Sequence, residues 1–138
     1  MANGGGRWQY NILKQSEVLR EMVQRQGSDR FIEMNDGELA YSTGMQAMSG
    51  QGLVLDPPAA RALARGHFFD IAADRNYHLM MASGLYKDQI DEFLQRRTAG
   101  DHKPIYTISG DEFDRFSVSA AAYDPISDTK LYRISRNP

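Results

Sequence analysis

The sequence predicts an α+β fold: a single domain with an antiparallel sheet of about five strands and two or three helices packed on one face. Three observations carry this expectation. Residues 12–26 and 57–97 space apolar side chains at three and four, the repeat of an amphipathic helix. The last third alternates apolar with small polar residues between turn sequences, as half-buried strands do. The chain has 138 residues, 41% hydrophobic and 25% charged, the balance of one globular domain with one core.

Taken in order, the opening NGGGR reads as a flexible tail, residues 1–9, ahead of a single domain over 10–138, because consecutive glycines gain little from order. Trp8 and Tyr10 follow as candidate partner anchors, although packing on the first helix is the commoner role for such aromatics. From about Ile12 to Gln26 an amphipathic helix carries Ile12, Leu19, Met22 and Val23 on one side and stops at Gly27. RFIEMNDGELAYS then reads as a β-hairpin, since Asn35-Asp36-Gly37 tolerates the positive φ of a tight turn.

STGMQAMSGQG, residues 42–52, reads as a long loop leading into the strand-like Leu53-Val54-Leu55. It lacks the lysine and hydroxyl of a phosphate-binding loop. Its methionines, Met45 and Met48, are candidate partner contacts because methionine adapts to varied surfaces, though methionines more often sit in a core. Asp56-Pro57-Pro58 combines a helix cap with prolines suited to a first turn, which predicts a helix running to about Ala82, with Gly66 as a possible division. A second helix, Leu85 to Arg97, places Leu85, Tyr86, Ile90, Phe93 and Leu94 inward. AGDHKP is a turn, and strands are expected at 104–109, Phe116–Tyr123 and Thr129–Ser135.

Charge and composition narrow the function classes. Net charge is −2 and pI about 5.9, so no long-range field favours nucleic acid. No apolar run approaches the ~18 residues of a membrane span, and the start lacks the apolar core of a secretory leader, so a cytoplasmic protein is expected. The absence of cysteine removes thiolate ligands, cysteine nucleophiles and disulfides together. No GxSxG elbow or HExxH helix is present.

The sharpest chemical candidate is HFFDIAADRNYH, residues 67–78. Wound as one helix, it would align His67, Asp70, Asp74 and His78 on one face. Its ends would stand about 16 Å apart, so at most two neighbours could share a metal. Asp74 and His78 are the best pair, as metal ligands or as an acid-base pair, with His102, Asp36 or Glu38 completing a site. A solvated helix face with paired charges competes with that reading. Asp111, Glu112 and Asp114 form an acidic patch without EF-hand spacing. Lys130, Arg133 and Arg136 read as charges protecting an edge strand.

The expected function is therefore a small non-enzymatic interaction or regulatory protein that binds a protein partner and needs no cofactor. It would act through the Met/Gly-rich loop 42–52 and the N-terminal aromatics. A metal-dependent, phosphodiester-type hydrolase using the 67–78 stripe is the first alternative. A small-molecule sensor with its ligand between sheet and helices is the second.

Overall fold

A computed structural model of the protein describes residues 2–52 and 55–138, with residues 2–13 as backbone only. The expected tail and the Trp8 and Tyr10 side chains fall among the residues outside this side-chain description, as does most of the strand expected at Leu53-Val54-Leu55. The elements are α1 (Ala2–Arg25), β1 (Arg30–Glu33), α2 (Glu38–Thr43), β2 (Gln46–Ser49), α3 (Pro57–Ala64), α4 (Phe68–Asp74), β3 (Leu79–Ser83), α5 (Gly84–Arg96), α6 (Glu112–Arg115), β4 (Phe116–Asp124) and β5 (Thr129–Arg136).

The fold is α+β with five strands, in the order β2-β1-β3-β5-β4. The sheet is mixed, which corrects the expected antiparallel arrangement: β1 runs parallel to β2 and to β3, and only β3–β5 and β5–β4 are antiparallel. Parallel neighbours must be joined by crossovers, and β2 and β3 flank β1 on opposite sides. Crossovers of one hand then leave on opposite faces. Helices accordingly cover both faces rather than one. Phe31, Leu79, Met81 and Leu131 pack with Leu19, Val23 and Leu39 of α1 and α2. Ile32, Met80, Ala82, Tyr132 and Ile134 pack with Phe68, Phe69, Ile90 and Phe113 of α4, α5 and α6.

The expected hairpin is instead a strand, a turn and a helix. Gly37, with φ 102, precedes α2, so the positive φ that the Asn-Asp-Gly sequence supplies starts a helix rather than a hairpin. Burial follows the helical repeat, with Leu39 and Thr43 inside and Tyr41 92% exposed. The buried Glu33 carboxylate fixes the geometry, accepting hydrogen bonds from the backbone N–H of Gly37, Leu39 and Ala40 at 2.5, 3.2 and 2.6 Å. Asn35, also buried, ties this turn to β3: its Oδ1 accepts from Ser83 N at 3.0 Å, and its Nδ2 donates to Ser83 Oγ and Glu38 Oε1 at 2.5 and 2.7 Å.

Asp56 caps α3 as expected, accepting from Ala59 N at 3.0 Å. The long helix does not continue. Gly66 at φ 75 and Asn76 at φ 65 divide it into α3, α4 and the strand β3. Leu79 to Ala82 are all buried, and a short run of apolar residues buried on both sides has no periodicity to separate strand from helix. The strand expected at 104–109 is a tight turn in which Ile105 and Ile108 bridge each other across Tyr106 at φ 52. Leu85, expected inside, is 69% exposed. β5, expected at an edge, is interior, and its Lys130 pairs with Asp91 at 3.0 Å.

Candidate functional site

The 67–78 stripe is not one helix face. His67 stands at the start of α4, Asp70 and Asp74 lie on it, and His78 follows the Asn76 turn. The charges of this region are largely spent on one another. Asp70 contacts His67 Nδ1 at 3.1 Å, Arg115 at 3.2 Å and Arg136 at 3.3 Å, and Arg115 also donates to the Gly66 carbonyl at 2.6 Å. Burial opposes the Asp70 charge, but the His67 and Arg115 hydrogen bonds and the arginine charges outweigh it, so its carboxyl sits below the ordinary range. Arg115 and Arg136 lie more than 40 residues further along the chain, which no local pattern could connect to α4.

Asp74 and His78 do line one small cavity of about 220 Å³ with Tyr77, Ser135 and Arg136. Asp74 faces Arg136 at 3.9 Å. His102 is not with them; its Nδ1 is hydrogen-bonded to Asp111. Asp36 takes a hydrogen bond from the Tyr86 hydroxyl at 2.5 Å, which pushes the tyrosine pKa up to about 12. Among the described residues no three His, Asp or Glu side chains are grouped to hold a metal ion.

The acidic patch at 111–114 is likewise internal wiring. Asp114 pairs with Arg97 at 2.8 Å and accepts from Gly100 N at 3.1 Å. Glu112 is fully buried and its Oε1 accepts from Phe69 N at 2.6 Å at the start of α4. Its Oε2 is buried and has no hydrogen-bond partner among the described residues. Burial raises its pKa, against the opposing pull of the Phe69 and Phe68 amides and the Arg115 charge.

The methionines of the 42–52 segment belong to β2 and its approach. Met48 is buried in the core, and Met45 is half-buried against the cluster under α1.

A different surface remains open. Among the described residues β4 ends the sheet, pairs only with β5 and makes no backbone hydrogen bond on its outer side. From Phe116 to Tyr123, FSVSAAAY, it carries no charge and no proline. Lysine, proline and inward charges are the usual protection of an exposed edge. Here the protection is a register shift between Ala120 and Ala122, a bulge that bends the strand and limits its regular outer edge to residues 116–120.

Beyond the bulge lies an apolar tip. Tyr123 is 50% and Ile126 80% exposed, and the turn that presents them is tied by hydrogen bonds. The buried Asp124 accepts from Ile126 N, Ser127 N and Ser127 Oγ at 3.4, 3.2 and 2.5 Å. Asp128 binds Tyr123 Oη at 2.6 Å and Lys87 Nζ at 3.0 Å, and its carbonyl accepts from Gly84 N at 2.9 Å. This ties the start of α5 to the same turn. An isoleucine inside the turn sequence Asp-Pro-Ile-Ser-Asp was the available sequence signal for this patch.

No family model, no curated protein and no solved structure matches the chain. No helix among the described residues is long and apolar enough to cross a membrane.

Proposed function

We propose that this chain is a non-enzymatic interaction domain that binds an extended segment of a protein partner along β4. The observation that carries the reading is the uncharged, proline-free outer edge of β4 over residues 116–123, leading to the exposed Tyr123 and Ile126 at its end. An added strand would take its affinity from main-chain hydrogen bonds to residues 116–120 and its selectivity from apolar side chains set against the tip. The partner segment is accordingly extended and apolar at one end, because residues 116–123 offer no charge to read.

The test is partner capture by wild type, Ala120→Lys and Ile126→Asp, with thermal midpoints measured alongside. Ala120 and Ile126 are exposed, so both variants keep the wild-type midpoint while losing the partner. Equal capture by all three proteins refutes the proposal. A concentration-dependent dimer abolished by Ala120→Lys would reassign the edge to self-pairing.

A sensor reading has one specific observation in its favour. A cleft of about 440 Å³ between α5 and the 101–106 segment is lined by Phe93, Ile105, Lys103 and Tyr106. That size suits a small ligand, and Tyr106 holds a left-handed backbone there. Native mass spectrometry of protein purified from its host tests it: a bound small molecule supports the reading, and an empty chain removes tight binding.

A further inference from the structure

Resting on the sensor reading of the cleft between α5 and the 101–106 segment, we infer that its ligand is a free α-amino acid with a large apolar side chain. Gln89, Glu92, Phe93 and Arg96 follow one another along α5 at helical spacings of three and four, so they share one face and form one wall. Asp101, Lys103, Ile105 and Tyr106 form the facing wall. The two walls enclose about 440 Å³, within the range of small-molecule sites.

The facing wall is fixed by the fold itself. Ahead of it Gly100 N donates to Asp114 at 3.1 Å. The carbonyls of Asp101 and Lys103 lie so close against Gly110 that a Cβ there would strike both. At the far end Ile105 and Ile108 bridge each other, and the Tyr106 hydroxyl donates to Gln89 Oε1 at 2.5 Å, joining the two walls. A ligand enters a formed cleft and does not have to order one, which lowers the cost of binding.

The charges that remain define the ligand. Arg97 is held by Asp114 at 2.8 Å and by the Gly110 carbonyl at 3.3 Å, and Arg96 is paired with Glu92 at 2.9 Å. The Asp101 carboxylate accepts from the Lys103 amide at 2.9 Å but meets no cation among the described residues, and the Lys103 ammonium meets no anion among them. A simple anion would leave Asp101 unanswered, and a simple cation would leave Lys103. An α-amino acid carries ammonium and carboxylate on one carbon and answers both, as two charge-assisted contacts. Phe93, Ile105 and Tyr106 supply apolar surface for its side chain, and the two rings favour an aromatic one.

The experiment is amide NMR titration of the full chain with L-phenylalanine. Hydrocinnamate, phenethylamine and glycine serve as separate arms that lack the ammonium, the carboxylate and the side chain. Saturable shifts along α5 and residues 101–106 are expected with phenylalanine, and each analogue should bind about tenfold more weakly or worse. Lys103→Gln should weaken phenylalanine about tenfold and leave phenethylamine unchanged. Asp101→Asn, which keeps an oxygen for the Lys103 amide, should weaken phenylalanine and leave hydrocinnamate unchanged. Arg61→Gln, outside the cleft, should alter neither. Wild-type thermal midpoints in all three variants separate lost binding from lost folding. An analogue that binds as tightly as phenylalanine, or undiminished binding by Lys103→Gln and Asp101→Asn, overturns the inference. A different small molecule carried from the host, with no response to phenylalanine, overturns the ligand class while the cleft reading stands; no response together with an empty purified chain overturns both.

Discussion

Replacing Glu112 by glutamine should make the protein less sensitive to alkaline pH. Glu112 is fully buried, one oxygen satisfied by Phe69 N at 2.6 Å and the other without a hydrogen-bond partner among the described residues. Burial pushes its pKa above the ordinary value, with the Asp70 charge adding to the rise and Arg115 opposing it. A carboxyl whose pKa is raised on folding contributes its stability below the unfolded value and loses it as pH rises through the folded value. Wild type therefore loses this contribution above about pH 4.3. Glu112→Gln keeps an oxygen acceptor for Phe69 N and has nothing to ionise. Glu112→Ala also orphans the amide, and a buried unsatisfied donor costs about 2 kcal/mol. For a chain of this length that lowers the midpoint by about 7 °C. The assay is urea unfolding of the three proteins from pH 5 to pH 8. The free-energy gap between Glu112→Gln and wild type should move in favour of the variant as pH rises. Parallel curves across that window would refute the assignment of an unfavourable buried charge to Glu112.

Three further outcomes are expected. Gly66→Ala should destabilise by about 1–2 kcal/mol, the penalty of a left-handed alanine, because Gly66 holds φ 75; unchanged stability with increased helical circular dichroism would mean that α3 and α4 can fuse. Asn35→Ala strips Ser83 N of its acceptor and should lower stability by about 2–3 kcal/mol, read as a shifted urea midpoint with unchanged slope. Asp70→Asn should lose no more than about 1 kcal/mol at neutral pH, as expected for a partly exposed ion cluster. Its lowered carboxyl pKa stabilises the fold above the unfolded value, so the difference from wild type should shrink below about pH 4; a difference that grows on acidification contradicts the pairing.

What local chemistry encodes was legible in the sequence. The Asp56 cap with its two prolines, the alternating strand at 116–123 and the turn at 124–128 appear where the residues demand them. The errors share one cause, the long-range partner. Asn-Asp-Gly suits a hairpin and a helix start equally, and the buried Glu33 carboxylate decides between them by capping α2. Leu79-Met80-Met81-Ala82 suits a helix end and a central strand equally, and strands on both sides decide. The mixed sheet follows from those two decisions. Lys130, Arg133 and Arg136 resemble edge protection, yet they reach Asp91, Gln26 and Asp70 from an interior strand. The candidate site suffered in the same way: His67, Asp70, Asp74 and His78 are near in sequence, but Arg115 and Arg136 claim the carboxylates. Strand order leaves no mark in local sequence, so the open edge of β4 was not visible there.

The central claim, that β4 receives a partner strand, is tested most directly by amide hydrogen exchange with and without the captured partner. Slowed exchange is expected, confined to residues 116–120 and the 123–126 tip and absent in Ala120→Lys. Protection elsewhere with β4 unchanged would contradict it.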